Sequence, residues 1–99
     1  MAHKSTSGWN KRTELQAYKI FRVLLENDFP RGLQNKLCNE LSRESHLLSS
    51  GNISAKVCNY KSVAGINNPS NFSVDTKVNY YKYKNYSLDE INLMIEKLI

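Results

Sequence analysis

The stretch SSGNISAKVCNYKSVAGINNPSNFS, residues 49–73, joins a segment of helical periodicity to a segment rich in turn-forming residues. With Ser49 or Ser50 as the N-cap and about 100° of rotation per residue, its first half predicts an amphipathic helix. The small Ala55 lies within the polar side and leaves its neighbours room. The apolar side consists of Ile53, Val57 and Tyr60, and the polar side consists of Asn52, Lys56 and Asn59.

These polar side chains are of the types that contact DNA. Asparagine can pair with adenine through two hydrogen bonds, and lysine can donate to guanine or to a phosphate. The pattern therefore predicts that Asn52, Lys56 and Asn59 face the major groove of double-stranded DNA. The alternative is that the polar side is only solvated, as it is in most short amphipathic helices.

The same stretch carries a family resemblance. Residues 53–60, ISAKVCNY, and residues 65–70, GINNPS, fit the pattern I-x-x-K-x-x-N-[FY] followed by G-[LI]-x-N-x-S. Because it matches this pattern, the chain resembles the small helical domain found upstream of many HNH endonuclease domains in bacteria. The resemblance implies a module that reads DNA. At Asn52 the chain departs from that family, which often has a small hydroxyl residue there.

The catalytic part of such a nuclease is not predicted in this chain. An HNH nuclease needs several histidines with an acidic or Asn partner to hold a metal ion and activate water, and this sequence has only His3 and His46. Cys38 and Cys58 are not spaced as zinc ligands and are expected to be small buried side chains, with a disulfide as the alternative that their spacing leaves open. We therefore predict a protein that binds and does not cut, without enzymatic activity, metal or cofactor.

Length and composition predict one small domain. The 99 residues, 40% of them hydrophobic, suffice for one modest core. Residues 1–9 lack apolar periodicity and are expected to form a disordered arm, and residues 10–99 are expected to form the domain. No apolar stretch approaches the ~20 residues of a membrane span and no signal peptide is recognisable. A soluble cytoplasmic protein without a membrane partner is expected.

Charge is concentrated in the middle of the chain. The net charge is +5, and residues 52–86 contain five lysines against the single carboxylate of Asp75. Attraction to a polyanion would therefore be strongest in the part of the chain that contains the predicted DNA-contacting helix. The residues expected to contact phosphates are Arg43, Lys61, Lys77 and Lys82.

Apolar periodicity predicts a mainly α-helical bundle of the helix-turn-helix type, with a linker of about seven residues, 43–49, between its second and third helices. Residues 61–76 are expected to form a loop in which Asn68 and Ser70 satisfy turn groups. The following run, residues 77–86, is KVNYYKYKNY, and a short irregular or β element is left open around residues 77–83. Its tyrosines are expected to lie against the core, with a base-stacking surface as the alternative. The predicted helices span residues 10–26, 33–42, 52–60 and 88–99.

The last predicted helix begins with the capping box formed by Ser87 and Glu90. Its apolar stripe is expected to pack on the first helix, with pairing to a second copy in a homodimer as the alternative. DNA binding likewise has an alternative. A small basic protein of this kind, encoded on a mobile element or phage, could instead cover a protein surface or inhibit a host nuclease.

Overall fold

Five helices contain most of the residues that the structure describes. The structure is a computed structural model, and it describes residues 8–45, 47–66 and 73–98. This part of the chain contains no β-strand, so the predicted mainly α-helical single domain is confirmed. The helices are α1 (Lys11–Glu26), α2 (Leu33–Glu44), α3 (Ser50–Val63), α4 (Val74–Tyr83) and α5 (Leu88–Lys97).

Side-chain caps fix where four of the helices begin. Asn10, Ser49, Ser73 and Ser87 each precede a helix and accept a hydrogen bond from a backbone N–H of its first turn. Such a cap contributes about 1 kcal/mol, because the first turn of a helix otherwise has unsatisfied donors. The predicted capping box at Ser87 is confirmed. By contrast, α2 begins after Gly32, whose φ of 85° lies in the left-handed region that favours glycine.

The central helix is α1, which packs against each of the other four helices. Its inner face carries Tyr18 and Phe21, whose rings lie 5.2 and 6.1 Å from the ring of Tyr60 on α3. All three side chains are fully buried, and aromatic pairs at these distances add to the stabilisation that burial itself gives. The aromatic cluster therefore holds α3 against α1, and α2 and α4 pack on α3 in turn.

The C-terminal helix uses its apolar stripe within the chain. Ile91 and Ile95 are buried in the common core, and α5 packs on α1. Packing of this stripe on the first helix is the arrangement expected from the sequence. The described residues give no support to the alternative, a homodimer through this stripe.

One helix was not predicted. The β element left open around residues 77–83 is wrong, since this segment belongs to α4. The loop expected over residues 61–76 is shorter at both ends, because α3 continues to Val63 and α4 begins at Val74. Sequence periodicity missed α4 because apolar side chains occur on both its buried and its exposed sides.

Some expectations concern residues that the structure does not describe. Residues 1–7 of the predicted arm, His46, and residues 67–72 with Asn68 and Ser70 lie outside the described residues. Of the remaining arm residues, Trp9 packs partly buried against the core, and the Gly8 carbonyl accepts a hydrogen bond from the Thr13 hydroxyl. The folded part of the chain thus extends at least to Gly8.

None of the five helices is both long enough and apolar enough to cross a bilayer, as judged over the described residues.

Candidate nucleic-acid interface

Lys56, expected on the exposed side of α3, lies between helices. Its Nζ is 3.2 Å from Oε1 of Glu14 on α1, and it donates a hydrogen bond of 3.2 Å to the hydroxyl of Thr76 on α4. It also lies 4.8 Å from the centre of the Trp9 ring, and 13% of its side chain is exposed. The predicted solvent-facing position is therefore wrong, because Lys56 neutralises a carboxylate that is only 1% exposed.

The buried group around Glu14 includes a second donor. The Tyr60 hydroxyl donates to Oε2 of Glu14, and the side-chain amide of Asn79 donates to the Tyr60 oxygen over 3.4 Å. Burial raises the pKa of Tyr60 well above its ordinary value, and the negative charge of Glu14 raises it further. Tyr60 therefore keeps its proton and remains a donor to Glu14. This polar group joins α1, α3 and α4 and stabilises the fold.

Asn52 is exposed, but its amide oxygen is already used locally. Oδ1 of Asn52 accepts hydrogen bonds from the backbone N–H and the hydroxyl of Ser49, at 3.2 and 2.9 Å. The Ser49 hydroxyl in turn accepts the Asn52 backbone N–H. Asn52 is thus the third residue of a capping box. Pairing with adenine through both amide atoms would require this cap to open.

Lys61 is also engaged within the fold. Its Nζ donates a hydrogen bond of 2.7 Å to the amide oxygen of Gln34 on α2 and lies 5.1 Å from the centre of the Phe29 ring. The side chain is half-buried. Of the other predicted contacts, Asn59 is half-buried on α3, and Arg43 is exposed near the end of α2. The predicted site residues are therefore distributed over three helices and do not form one cluster.

The lysines of the α4 segment have the exposure that phosphate contact requires. Lys77 and Lys82, both predicted, and Lys84, which immediately follows the helix, are all exposed. Among the described residues, no carboxylate forms an ion pair with any of the three. Lys84 was missing from the predicted site, although the Lys and Tyr alternation of residues 77–86 was a signal for it.

Between these lysines α4 exposes an apolar stripe. Val74, Val78 and Tyr81 are 73, 52 and 54% exposed, and at about 100° per residue they lie within about 60° of one another. The same rotation places Lys77 and Lys84 along one edge of the stripe and Lys82 along the other. We call this surface the α4 face, and define it by Val74, Lys77, Val78, Tyr81, Lys82 and Lys84.

Only one of the four tyrosines in residues 77–86 has a mainly exposed side chain. Tyr83 is buried, and Tyr80 and Tyr86 pack partly buried against the core. The expectation that the rings lie against the core is confirmed for these three. Tyr81 is the exception, and its ring lies 5.1 Å from that of Tyr80 and 5.3 Å from Lys84 Nζ. One exposed ring does not make a stacking surface for successive bases.

Searches against models of protein families, curated proteins and solved structures return no match for this chain. The resemblance to the domain upstream of HNH nucleases therefore stays a prediction.

Proposed function

We propose that this protein is a non-catalytic module that binds double-stranded DNA, and that the α4 face is its main contact surface. The observation that carries the proposal is the exposure of Lys77 and Lys82 on α4 and of Lys84 directly after it, without carboxylate partners among the described residues. A protein that binds duplex DNA has one component of affinity that is independent of the base sequence. Contacts between lysines and phosphates supply most of that component.

The dimensions of the α4 face support a duplex as the partner. An α-helix with side chains is about 10–12 Å across, and the major groove of B-DNA is about 12 Å wide. Lys77 and Lys84 on one edge and Lys82 on the other could reach phosphates of the two strands that border the groove. The helix is about 15 Å long, slightly more than the width of the groove.

The other predicted contacts take secondary roles in this proposal. Arg43 and Asn59 remain candidates for a phosphate contact and a base contact, because neither side chain is fully buried. Lys56, Asn52 and Lys61 are reassigned to the stability of the fold, for the contacts described above. In this proposal α2 packs on α3 and α3 packs on α4, so both support α4 as the helix that enters the groove most deeply.

The test is a fluorescence-anisotropy titration of a labelled 20-base-pair duplex at several salt concentrations. We expect binding that weakens steeply with salt. In the triple variant Lys77→Gln, Lys82→Gln, Lys84→Gln, binding should be weaker and the slope of log K against log salt should fall by about 2.7, since each phosphate contact contributes about 0.9.

A matched control removes the same charge elsewhere. Arg31, Lys36 and Lys97 are exposed and lie outside α4, and changing all three to Gln lowers the net charge equally. This control should retain a salt slope within about one unit of the wild-type value. Equal losses in both triple variants would show that net charge alone drives binding. Absence of binding at micromolar protein would refute the proposal and favour a protein partner.

A further inference from the structure

The α4 face presents apolar atoms where a groove-reading helix usually presents hydrogen-bonding groups. Val74 and Val78 have no polar side-chain atom, and Tyr81 has only its hydroxyl. Val74, Val78 and Tyr81 lie side by side on one helix face, and exposed apolar side chains that adjoin one another, ringed by polar residues, are the arrangement found at many contact surfaces. The three lysines around them favour a contacted surface that is also negatively charged.

Within double-stranded DNA, one apolar group is available to such a helix. The C5-methyl group of thymine projects into the major groove, and apolar side chains contact it there, whereas cytosine and the purines present no methyl group. A helix with lysines on both edges and valines in the centre therefore matches phosphate at the groove borders and thymine methyl groups at the groove floor.

The side-chain contacts of α3 within the fold make it less suited than α4 to contact base edges. Asn52 is held in its capping box and Lys56 in its ion pair with Glu14. In addition, α3 packs on three other helices, whereas α4 packs on α1 and α3 through residues such as Thr76 and Tyr83 and leaves its opposite side open. The open side of α4 is the side that carries the apolar stripe.

We infer that α4 enters the major groove and that Val74, Val78 and Tyr81 recognise thymine methyl groups, so that the protein prefers thymine-rich duplexes. This inference rests on the proposed binding of duplex DNA and specifies its substrate class. Because removing one methyl or methylene group from a buried apolar contact costs about 0.8 kcal/mol, each contacted thymine methyl changes affinity about fourfold.

The experiment compares two duplexes of identical sequence, one containing thymine and the other deoxyuridine, which lacks only the methyl group. The wild-type protein should bind the thymine duplex about fourfold to fifteenfold more tightly, corresponding to one or two methyl contacts. In the double variant Val74→Ala, Val78→Ala this ratio should fall towards one. Alanine favours helix more than valine does, so the variant should remain folded.

Two further measurements test whether the affinity difference comes from the methyl group and from the α4 valines. Replacing cytosine by 5-methylcytosine in a G/C duplex should increase affinity, because it adds the same methyl group at the groove floor. Leu93→Ala on α5 removes a comparably exposed apolar side chain and should leave the thymine to deoxyuridine ratio unchanged.

The outcomes separate the inference from the proposed function. Tight, salt-dependent binding with equal affinity for the thymine and deoxyuridine duplexes would overturn the inference and leave DNA binding intact. A ratio that persists in the double variant would overturn the role of these valines. Failure to bind any duplex would refute the inference and the proposed function together.

Discussion

Substituting Lys56 by methionine tests the buried ion pair at the junction of three helices. Methionine retains an unbranched apolar stem of similar length, so the change removes mainly the charge and its hydrogen bond to Thr76. It leaves the carboxylate of Glu14, 1% exposed, without its cation. Removal of one partner from a buried pair usually destabilises by about 3–5 kcal/mol. Because Lys56 retains some exposure, we expect about 3 kcal/mol.

A loss of that size would be a large share of the total stability, which is about 5–15 kcal/mol for a domain of this size. It corresponds to a decrease in Tm of roughly 12–24 °C, at about 4–8 °C per kcal/mol. The assay is urea denaturation followed by far-UV circular dichroism. The control is Lys77→Met, an exposed site where the change should stay within about 0.5 kcal/mol.

A second substitution distinguishes the ion pair from simple packing. In the double variant Lys56→Met, Glu14→Gln, no buried charge remains, and the glutamine oxygen can still accept the Tyr60 hydroxyl. The double variant should therefore be more stable than Lys56→Met alone. A loss below about 1 kcal/mol for Lys56→Met, or no recovery in the double variant, would show that the ion pair between Lys56 and Glu14 does not stabilise the fold.

Two further predictions concern α2 and α3. Cys38 is fully buried, and burial raises the pKa of its thiol to about 11, whereas Cys58 is only partly buried. At pH 8 a thiol reagent should therefore modify Cys58 before Cys38; the order is measured by comparing Cys38→Ser with Cys58→Ser, and equal rates would contradict it. Ser49→Ala removes the capping box shared with Asn52 and should cost about 1 kcal/mol in urea denaturation without changing the DNA salt slope. An unchanged midpoint would show that the cap does not contribute to stability.

Local sequence signals were sufficient for four of the five helices. Ser49 and Ser87 precede apolar residues at helical spacing, so the starts of α3 and α5 follow from chemistry within a few residues. The apolar periodicity of residues 10–26 and 33–42 likewise predicts α1 and α2. In α4 the same kind of cap is present at Ser73. The exposed Val74 and Val78 and the buried Thr76 obscure the apolar periodicity of that helix.

The site was harder to predict, because a helical wheel does not identify distant partners. Lys56 precedes the buried Tyr60 by four residues and so lies at the border of the inner face of α3. Whether a border lysine faces solvent or a buried carboxylate depends on Glu14, 42 positions away in the sequence, and nothing local to α3 indicates that contact. Lys77 and Lys82 have no such distant partner among the described residues. Their exposure therefore agrees with the sequence-based prediction that they contact phosphates.

Binding through the α4 face is tested most directly by an NMR titration of ¹⁵N-labelled protein with an unlabelled duplex at low salt. We expect the largest amide shift changes in residues 74–84, with smaller changes around Asn59 and none above the noise at Leu93 on α5. Changes concentrated on α2 or α5, or no change at any amide, would contradict the assignment of the α4 face as the surface that binds DNA.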